Sequence, residues 1–325
     1  MAKIIGTGSY LPKKVLSNSD LEKMVDTSDD WIFSRTGMKE RRIAASDEFT
    51  SDMGREAALS AMESAGIAPS DIDLILVATL TPDYVIPSTA CLLQAQLKAV
   101  NACAMDIQAA CTGFIYGLSI AKAYVDSGLY RTVLVVASEK LSSIVNYKDR
   151  NTCVLFGDGA SAAVVAKEGK GLEIRDVSLG SDGEFSELII LPAGGSRRPA
   201  TAQTACEELH YIKMEGKEVF KHAVRRMEGA CKTSLERSGL QESEISWLIP
   251  HQANIRIIEA ISKRFELPME RVYMTIHKYG NTSASSVGIA LDELIREKPL
   301  ALGENILLTA FGSGLTWGAA VLTNG

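Results

Sequence analysis

Two periods of apolar residues alternate along this chain. Continuous, largely β-branched runs at 73–79 (Asp-Leu-Ile-Leu-Val-Ala-Thr), 132–138 (Thr-Val-Leu-Val-Val-Ala-Ser) and 161–166 (Ser-Ala-Ala-Val-Val-Ala) predict buried strands. Residues 52–66 instead carry apolar side chains at helical spacing and end on a glycine placed for a helix C-terminus, and 114–128 read the same way. This alternation is the pattern of βαβ units around a largely parallel sheet, so an α/β fold is expected.

The second half replays the first. A helix ending in Ala65-Gly-Ile67 precedes the apolar run from Asp71, and one ending in Ser238-Gly-Leu240 precedes Glu244-Ile-Ser-Trp-Leu-Ile-Pro250. The turn Gly157-Asp-Gly159 enters an apolar strand, as does Gly312-Ser-Gly314 near the end of the chain. Turn residues and charge at Lys167-Glu-Gly-Lys-Gly171 interrupt the pattern, which predicts halves at 1–170 and 171–325 joined in one compact unit. A chain of 325 residues can bury the large core such a pair needs.

Composition narrows the function classes. With 46% hydrophobic and 23% charged residues the chain reads as a soluble globular protein. A net charge of −6 argues against general binding to nucleic acid or an anionic membrane. No apolar run approaches the ~18 residues of a membrane helix, and the N-terminus lacks a secretory core. The cysteines at 91, 103, 111, 153, 206 and 231 form no CxxC pair and have no histidine at metal spacing, so no metal and no disulfide framework are expected. Reduced thiols fit a cytoplasmic location.

Three polar residues stand where such folds build sites. Cys111 lies between an apolar strand and a helix, where the free N–H groups and dipole of the first turn should lower its pKa and favour the thiolate. His251 follows the strand Trp247-Leu-Ile and precedes an amphipathic helix. Asn281 lies in the turn-rich Tyr279-Gly-Asn-Thr-Ser-Ala-Ser-Ser286. Small residues in Ala310-Phe-Gly-Ser-Gly-Leu-Thr-Trp-Gly318 allow backbone N–H groups to approach a developing oxyanion. A buried packing cysteine, a core histidine and a turn asparagine are the plain alternatives.

Taken together, Thr27-Ser-Asp-Asp-Trp-Ile-Phe-Ser-Arg-Thr-Gly-Met-Lys-Glu-Arg41, Asp106-Ile-Gln-Ala-Ala-Cys-Thr-Gly-Phe114, Phe156-Gly-Asp-Gly-Ala160, Pro250-His-Gln-Ala-Asn254, Gly280-Asn-Thr-Ser-Ala-Ser285 and the terminal glycine motif resemble the thiolase superfamily, and within it the β-ketoacyl-[acyl-carrier-protein] synthase III family. The resemblance spans nearly the whole chain. It implies a layered α-β-α-β-α sandwich and a Cys111–His251–Asn281 triad without metal or cofactor. The implied reaction acylates Cys111 from a short acyl-CoA and condenses the acyl group with malonyl-carrier protein, starting fatty acid synthesis. Backbone N–H groups of Cys111 and Ser313 are implied as the oxyanion hole.

The resemblance also places the substrates. Trp31 and Arg35 stand four apart on one helical face and are implied to hold the CoA adenine, with Arg150 at the nucleotide phosphates and Gly216, Phe220 and Asn254 along the pantetheine tunnel. A core tryptophan beside a solvated arginine is the alternative. The basic stripe of Arg256, Lys263 and Arg264 on an acidic chain suits an acidic partner. By resemblance that partner is acyl carrier protein, docking at Gln252, Ala253, Asn254, Ile255, Arg256 and Lys221. Leu141, Phe156, Leu188, Ile212 and Met214 are implied to line the primer pocket, with Ile86 supplied by the partner subunit of a homodimer. Acetyl-CoA is the default primer, and Ile86 leaves room for a slightly longer or branched one.

Related chemistries differ at named positions. A thiolase would carry a second cysteine near Gly312-Ser-Gly-Leu315, and an elongating synthase a second histidine at Asn281. Plant-type polyketide synthases share Cys-His-Asn but are longer. A condensing enzyme of secondary metabolism, and a catalytically silent scaffold that only binds carrier protein, are the remaining alternatives.

Overall fold

The computed structural model describes residues 1–325. Nine strands form one sheet: β1 (Lys3–Tyr10), β2 (Leu74–Ala78), β3 (Cys103–Ile107), β4 (Thr132–Glu139), β5 (Gly159–Ala166), β6 (Leu172–Ser181), β7 (Ile245–Pro250), β8 (Asn305–Gly312) and β9 (Thr316–Asn324). The helices that matter below are α1 (Asp29–Thr36), α2 (Thr50–Ala65), α3 (Thr89–Leu97), α4 (Gly113–Ser127), α5 (Gly216–Ser238), α6 (Ile255–Arg264) and α7 (Ser285–Glu297). The expected runs at 73–79, 132–138 and 161–166 form β2, β4 and β5, and the two expected helices are α2 and α4, closed by Gly66 and Gly128.

The strand order is β7-β8-β9-β6-β1-β5-β4-β2-β3. On either side of the β6–β1 junction the order is mirrored: β1-β5-β4-β2 on one wing answers β6-β9-β8-β7 on the other. The junction itself pairs only Lys3 with Glu173 and Ile4 with Leu172. The chain crosses from one wing to the other at 167–171, between β5 and β6.

Side-chain alternation along the strands builds the layers. Leu74, Leu76 and Ala78 of β2 and Val133, Val135 and Ala137 of β4 face a central core shared with Ile306, Leu308 and Ala310 of β8. Their neighbours Ile75, Val77, Leu134 and Val136 face an outer core under α2 and α3, while Leu307, Ala319 and Val321 face the opposite outer core under α5 and α6. Helices α4 and α7 contact strands of both wings and fill the centre. The result is α-β-α-β-α, and strands covered on both faces have to be apolar throughout.

The sheet is mixed rather than largely parallel. Only β7–β8, β4–β2 and β2–β3 run parallel. The segment between β8 and β9 spans three residues, too short for a parallel crossover, so β9 returns antiparallel, and β5, which follows the other glycine turn, pairs antiparallel with both β4 and β1. A glycine-flanked turn followed by an apolar strand is therefore the mark of a strand that returns antiparallel, a distinction that apolar periodicity does not carry.

Candidate active site

Strand ends supply the reactive groups. Parallel strand β3 stops at Ile107, and the chain turns through Ala110 in the left-handed region (φ 46°) to set Cys111 just before α4. Parallel strand β7 stops at Pro250, and the His251 N–H donates to the Thr309 carbonyl of β8 at 2.7 Å, which carries the pairing one residue further. Asn281 reaches the same rim beside Phe156: its N–H donates to the Leu155 carbonyl at 2.8 Å, and its carbonyl accepts from Gly157 at 3.0 Å. Cys111, His251, Asn281 and Ser313 all line one cavity of about 300 Å³ with a mainly hydrophobic wall.

Hydrogen bonds fix what each group offers. Asn281 Oδ1 accepts from the Ser283 N–H at 2.8 Å, which leaves the amide NH₂ as the free donor. His251 Nδ1 meets Ser286 Oγ at 2.6 Å, and that oxygen also accepts from the Gln252 N–H at 3.4 Å. With Ser286 donating to Nδ1, the imidazole proton resides on Nε2. Burial holds the His251 pKa down at about 3, so the ring is a neutral donor. Its partner is a hydroxyl, not the carboxylate of a hydrolytic triad.

Cys111 departs from expectation. Burial pushes its thiol up to about 12, against the lowering expected from the helix N-terminus. Only a three-residue turn precedes α4 here, and desolvation outweighs the first-turn dipole. The Ser283 Oγ lies 3.5 Å from Cys111 Sγ and 3.0 Å from Glu139 Oε1. Gly312 packs against Cys111 so closely that a Cβ there would fall 2.7 Å from the Cys111 nitrogen, so any side chain would displace the Cys111 backbone.

Comparisons with known proteins identify the family. Residues 105–183 match the family model "3-Oxoacyl-[acyl-carrier-protein (ACP)] synthase III", and 235–324 match its C-terminal counterpart. The chain is 61% identical over 322 residues to a β-ketoacyl-[acyl-carrier-protein] synthase III of Chlamydia trachomatis serovar D, covering 99% of this chain and 98% of that protein. The chain belongs to the β-ketoacyl-[acyl-carrier-protein] synthase III family. Among solved structures, the 3-oxoacyl-[acyl-carrier-protein] synthase III of Aquifex aeolicus is 50% identical with a TM-score of 0.91, covering 99% of this chain and all of that one. A priming β-ketosynthase from the R1128 polyketide pathway is 36% identical at a TM-score of 0.91, covering 99% of this chain and 96% of that one.

Other residues singled out by the synthase III resemblance fall in several places. Leu141, Phe156, Ile212 and Met214 line the cavity. Leu188 does not: it packs against the outer core, while the next residues, Ile189 to Leu191, line the cavity instead. Ile86 is 86% exposed and does not line the cavity of its own chain. Trp31 is half-buried on α1 and flanked by two guanidinium groups, Arg35 at 4.4 Å and Arg150 at 5.1 Å. The tryptophan is thus neither a pure core anchor nor an open stacking face. Gly216, Phe220 and Asn254 lie just beyond Met214, Val219 and Ala253, which line the cavity.

One docking expectation is overturned. Gln252 is fully buried: its side chain donates to the Pro250 carbonyl at 2.6 Å and accepts from Thr275 and Ile276 N–H at 2.9 and 3.1 Å, so it ties the His251 turn to the 275–276 turn. Ala253 lines the cavity, Asn254 caps α6 by accepting from Arg256 N–H, and Ile255 is half-buried. Lys221 is paired with Glu218 and Arg264 with Glu228, which leaves Arg256 and Lys263 as the freer cations of the stripe. Sequence reasoning passed over Ser283, Ser286 and Glu139. The hydroxyl-rich Asn281-Thr-Ser-Ala-Ser-Ser286 and a carboxylate ending the apolar run at 132–138 were the available signals. No group of three or more His, Cys, Asp or Glu is placed to hold a metal ion, and no helix is long and apolar enough to cross a membrane.

Proposed function

We propose that this chain catalyses the decarboxylative condensation that starts fatty acid synthesis, joining a short acyl group from acyl-CoA to malonyl-[acyl-carrier protein] through a Cys111 acyl-enzyme. The observation that carries the reading is a single apolar cavity in which Cys111 meets two neutral, oriented donors, His251 and Asn281. Cys111 sulfur attacks the thioester carbon and CoA leaves. The tetrahedral oxyanion is held by the Cys111 and Ser313 N–H groups, each such donor being worth ~2.7–4 kcal/mol. Malonyl-carrier protein then loses carbon dioxide. His251 Nε2–H and the Asn281 amide stabilise the enolate, whose carbon takes the acyl group from Cys111. Neither half-reaction calls for a metal or redox cofactor.

A neutral imidazole backed by Ser286 is a poor base for water, which protects the acyl-enzyme from hydrolysis. The Trp31, Arg35 and Arg150 cluster is assigned to the CoA nucleotide, and Arg256 and Lys263 to the acidic carrier protein. The exposed Tyr84, Val85 and Ile86 support a homodimer in which Ile86 closes the partner's primer pocket. Six unpaired cysteines support a reducing, cytoplasmic location. The likeness to a polyketide priming synthase favours one second reading, a priming role in secondary metabolism. A panel of acyl-CoA primers of increasing length and branching, each assayed with malonyl-carrier protein, tests both. Turnover of acetyl-CoA above longer primers supports the first reading, preference for longer primers supports the second, and no condensation with any primer rejects both.

A further inference from the structure

Strand β4 ends on a buried carboxylate that the condensation as described does not use. Glu139 has no solvent exposure. Its Oε2 accepts from Thr79 Oγ1 (3.1 Å), Leu80 N–H (3.0 Å), Thr81 N–H (3.2 Å) and Thr81 Oγ1 (2.8 Å) and is saturated. Oε1 has one partner, the Ser283 hydroxyl at 3.0 Å. That hydroxyl is also the side-chain group 3.5 Å from the Cys111 sulfur. Ser283 has one proton and cannot give it to both. When it donates to the carboxylate, its oxygen is left to accept from the thiol.

The backbone is bent to make this arrangement. Ser283 holds a left-handed conformation (φ 52°), which a residue with a Cβ rarely adopts, and Ala110 beside Cys111 does the same (φ 46°). The Ser283 N–H is meanwhile committed to Asn281 Oδ1. One strained residue thus orients the Asn281 amide with its backbone and bridges Cys111 to Glu139 with its side chain.

We propose that Ser283 and Glu139 form a proton relay for Cys111, a role that deepens the reaction above and rests on Cys111 being its nucleophile. As the Cys111 S–C bond forms and the CoA C–S bond breaks, the thiol proton passes to Ser283 Oγ while the Ser283 proton passes to Glu139 Oε1. CoA leaves as a thiolate and takes its proton from solvent. After condensation, Glu139 returns the stored proton through Ser283 to the Cys111 thiolate. The cycle therefore takes up one proton, as decarboxylation of a malonyl carboxylate requires. While the acyl-enzyme exists Glu139 is neutral, so it offers no base to activate water.

Burial raises Glu139 to about 7, which suits a group that takes and returns a proton near neutrality. The ionisable groups of the cavity wall are Cys111 and neutral His251. Thr79, Leu80, Thr81 and Ser283 face the carboxylate with uncharged donors, and adjacent Lys140 directs its ammonium to the Ala45 and Glu48 carbonyls.

The plain alternative is a structural clip joining the 79–81 and 281–286 loops. Ser283→Ala, Glu139→Gln, the double variant and Glu139→Asp separate the two. Alkylation of Cys111 by iodoacetamide against pH needs no acyl substrate, and single-turnover acylation by acetyl-CoA supplies the second readout. A relay predicts that Ser283→Ala and Glu139→Gln each slow both reactions by roughly 10²-fold, with the double variant no slower than the slower single. The inflection at about pH 7 in the wild-type profile should vanish in Glu139→Gln and persist, displaced, in Glu139→Asp. Wild-type rates and pH profile in Ser283→Ala, a variant that leaves the Glu139 loop contacts in place, overturn the relay. So does an unchanged inflection in Glu139→Gln accompanied only by a lower melting temperature. If wild type is alkylated as predicted yet takes no acyl group from acetyl-CoA, the condensation reading fails while the relay stands.

Discussion

Cys111 and Cys231 share a raised thiol pKa and have opposite surroundings. Burial pushes both thiols up to about 12. Cys231 sits on α5 with no exposure, inside the outer core of the second wing, and its polar neighbour is the Thr309 hydroxyl. Cys111 keeps partial access through a cavity whose wall also holds His251 and Asn281, and a serine links it to a buried carboxylate. The resting pKa therefore does not tell the proposed nucleophile from the filler. What separates them is an approach for substrate, a partner for the proton and donors for the charge that develops.

The largest effect that tests this contrast is at the two sulfurs. Cys111→Ala should lower condensation by more than about 10³-fold with little change in melting temperature. Cys231→Ala should retain turnover and lose about 1–2 kcal/mol of stability in urea unfolding. Comparable catalytic losses in both would remove the distinction. Next, His251→Ala should lower condensation by roughly 10²–10³-fold while Cys111 still takes up acyl groups, because its donor acts on the enolate. Quantifying bound acyl group and product separately measures that split.

Smaller effects probe the supports. Ser286→Ala removes the bond that sets the His251 tautomer, and a hydrogen bond of about 1 kcal/mol corresponds to roughly fivefold in condensation with acylation spared. Burial raises the Glu139 pKa to about 7 from its ordinary 4.5, so the stability it confers is full below about pH 4.5 and is lost as pH rises through 7. The melting temperature of Glu139→Gln relative to wild type should accordingly rise from pH 5 to pH 8. A difference that stays flat with pH contradicts the raised value. Smallest of all, Arg256→Glu should raise KM for the carrier-linked substrate about 3–10-fold, less at high salt, with acylation by acetyl-CoA unchanged.

The parts of the molecule readable in the sequence are those whose signal is local. Apolar runs and closing glycines locate β2, β4, α2 and α4 because burial on both faces and helix termination each leave a mark within a few residues. Strand direction is not local: β1 pairs antiparallel with β5 and β6, at least 150 residues away, which periodicity does not encode. Cys111, His251 and Asn281 were legible as strand-end and turn residues. Their supports were not, since Ser283 lies 172 residues from Cys111 and 144 from Glu139. Gln252 shows the converse error: it stands beside residues of a surface motif, yet tertiary packing turns it inward to hold the 275–276 turn. At Cys111 the first-turn dipole does not set the pKa for a related reason: desolvation depends on what the rest of the fold places over the thiol.

The central claim is that Cys111 alone carries the acyl group between two substrates. Incubation with radiolabelled acetyl-CoA, digestion and peptide mapping, followed by a chase with malonyl-carrier protein, tests it most directly. The account predicts one label per chain, on the peptide containing Cys111, absent from Cys111→Ala and discharged by the chase into a β-ketoacyl product. Label on any other cysteine, or label on Cys111 that malonyl-carrier protein does not discharge, would contradict it.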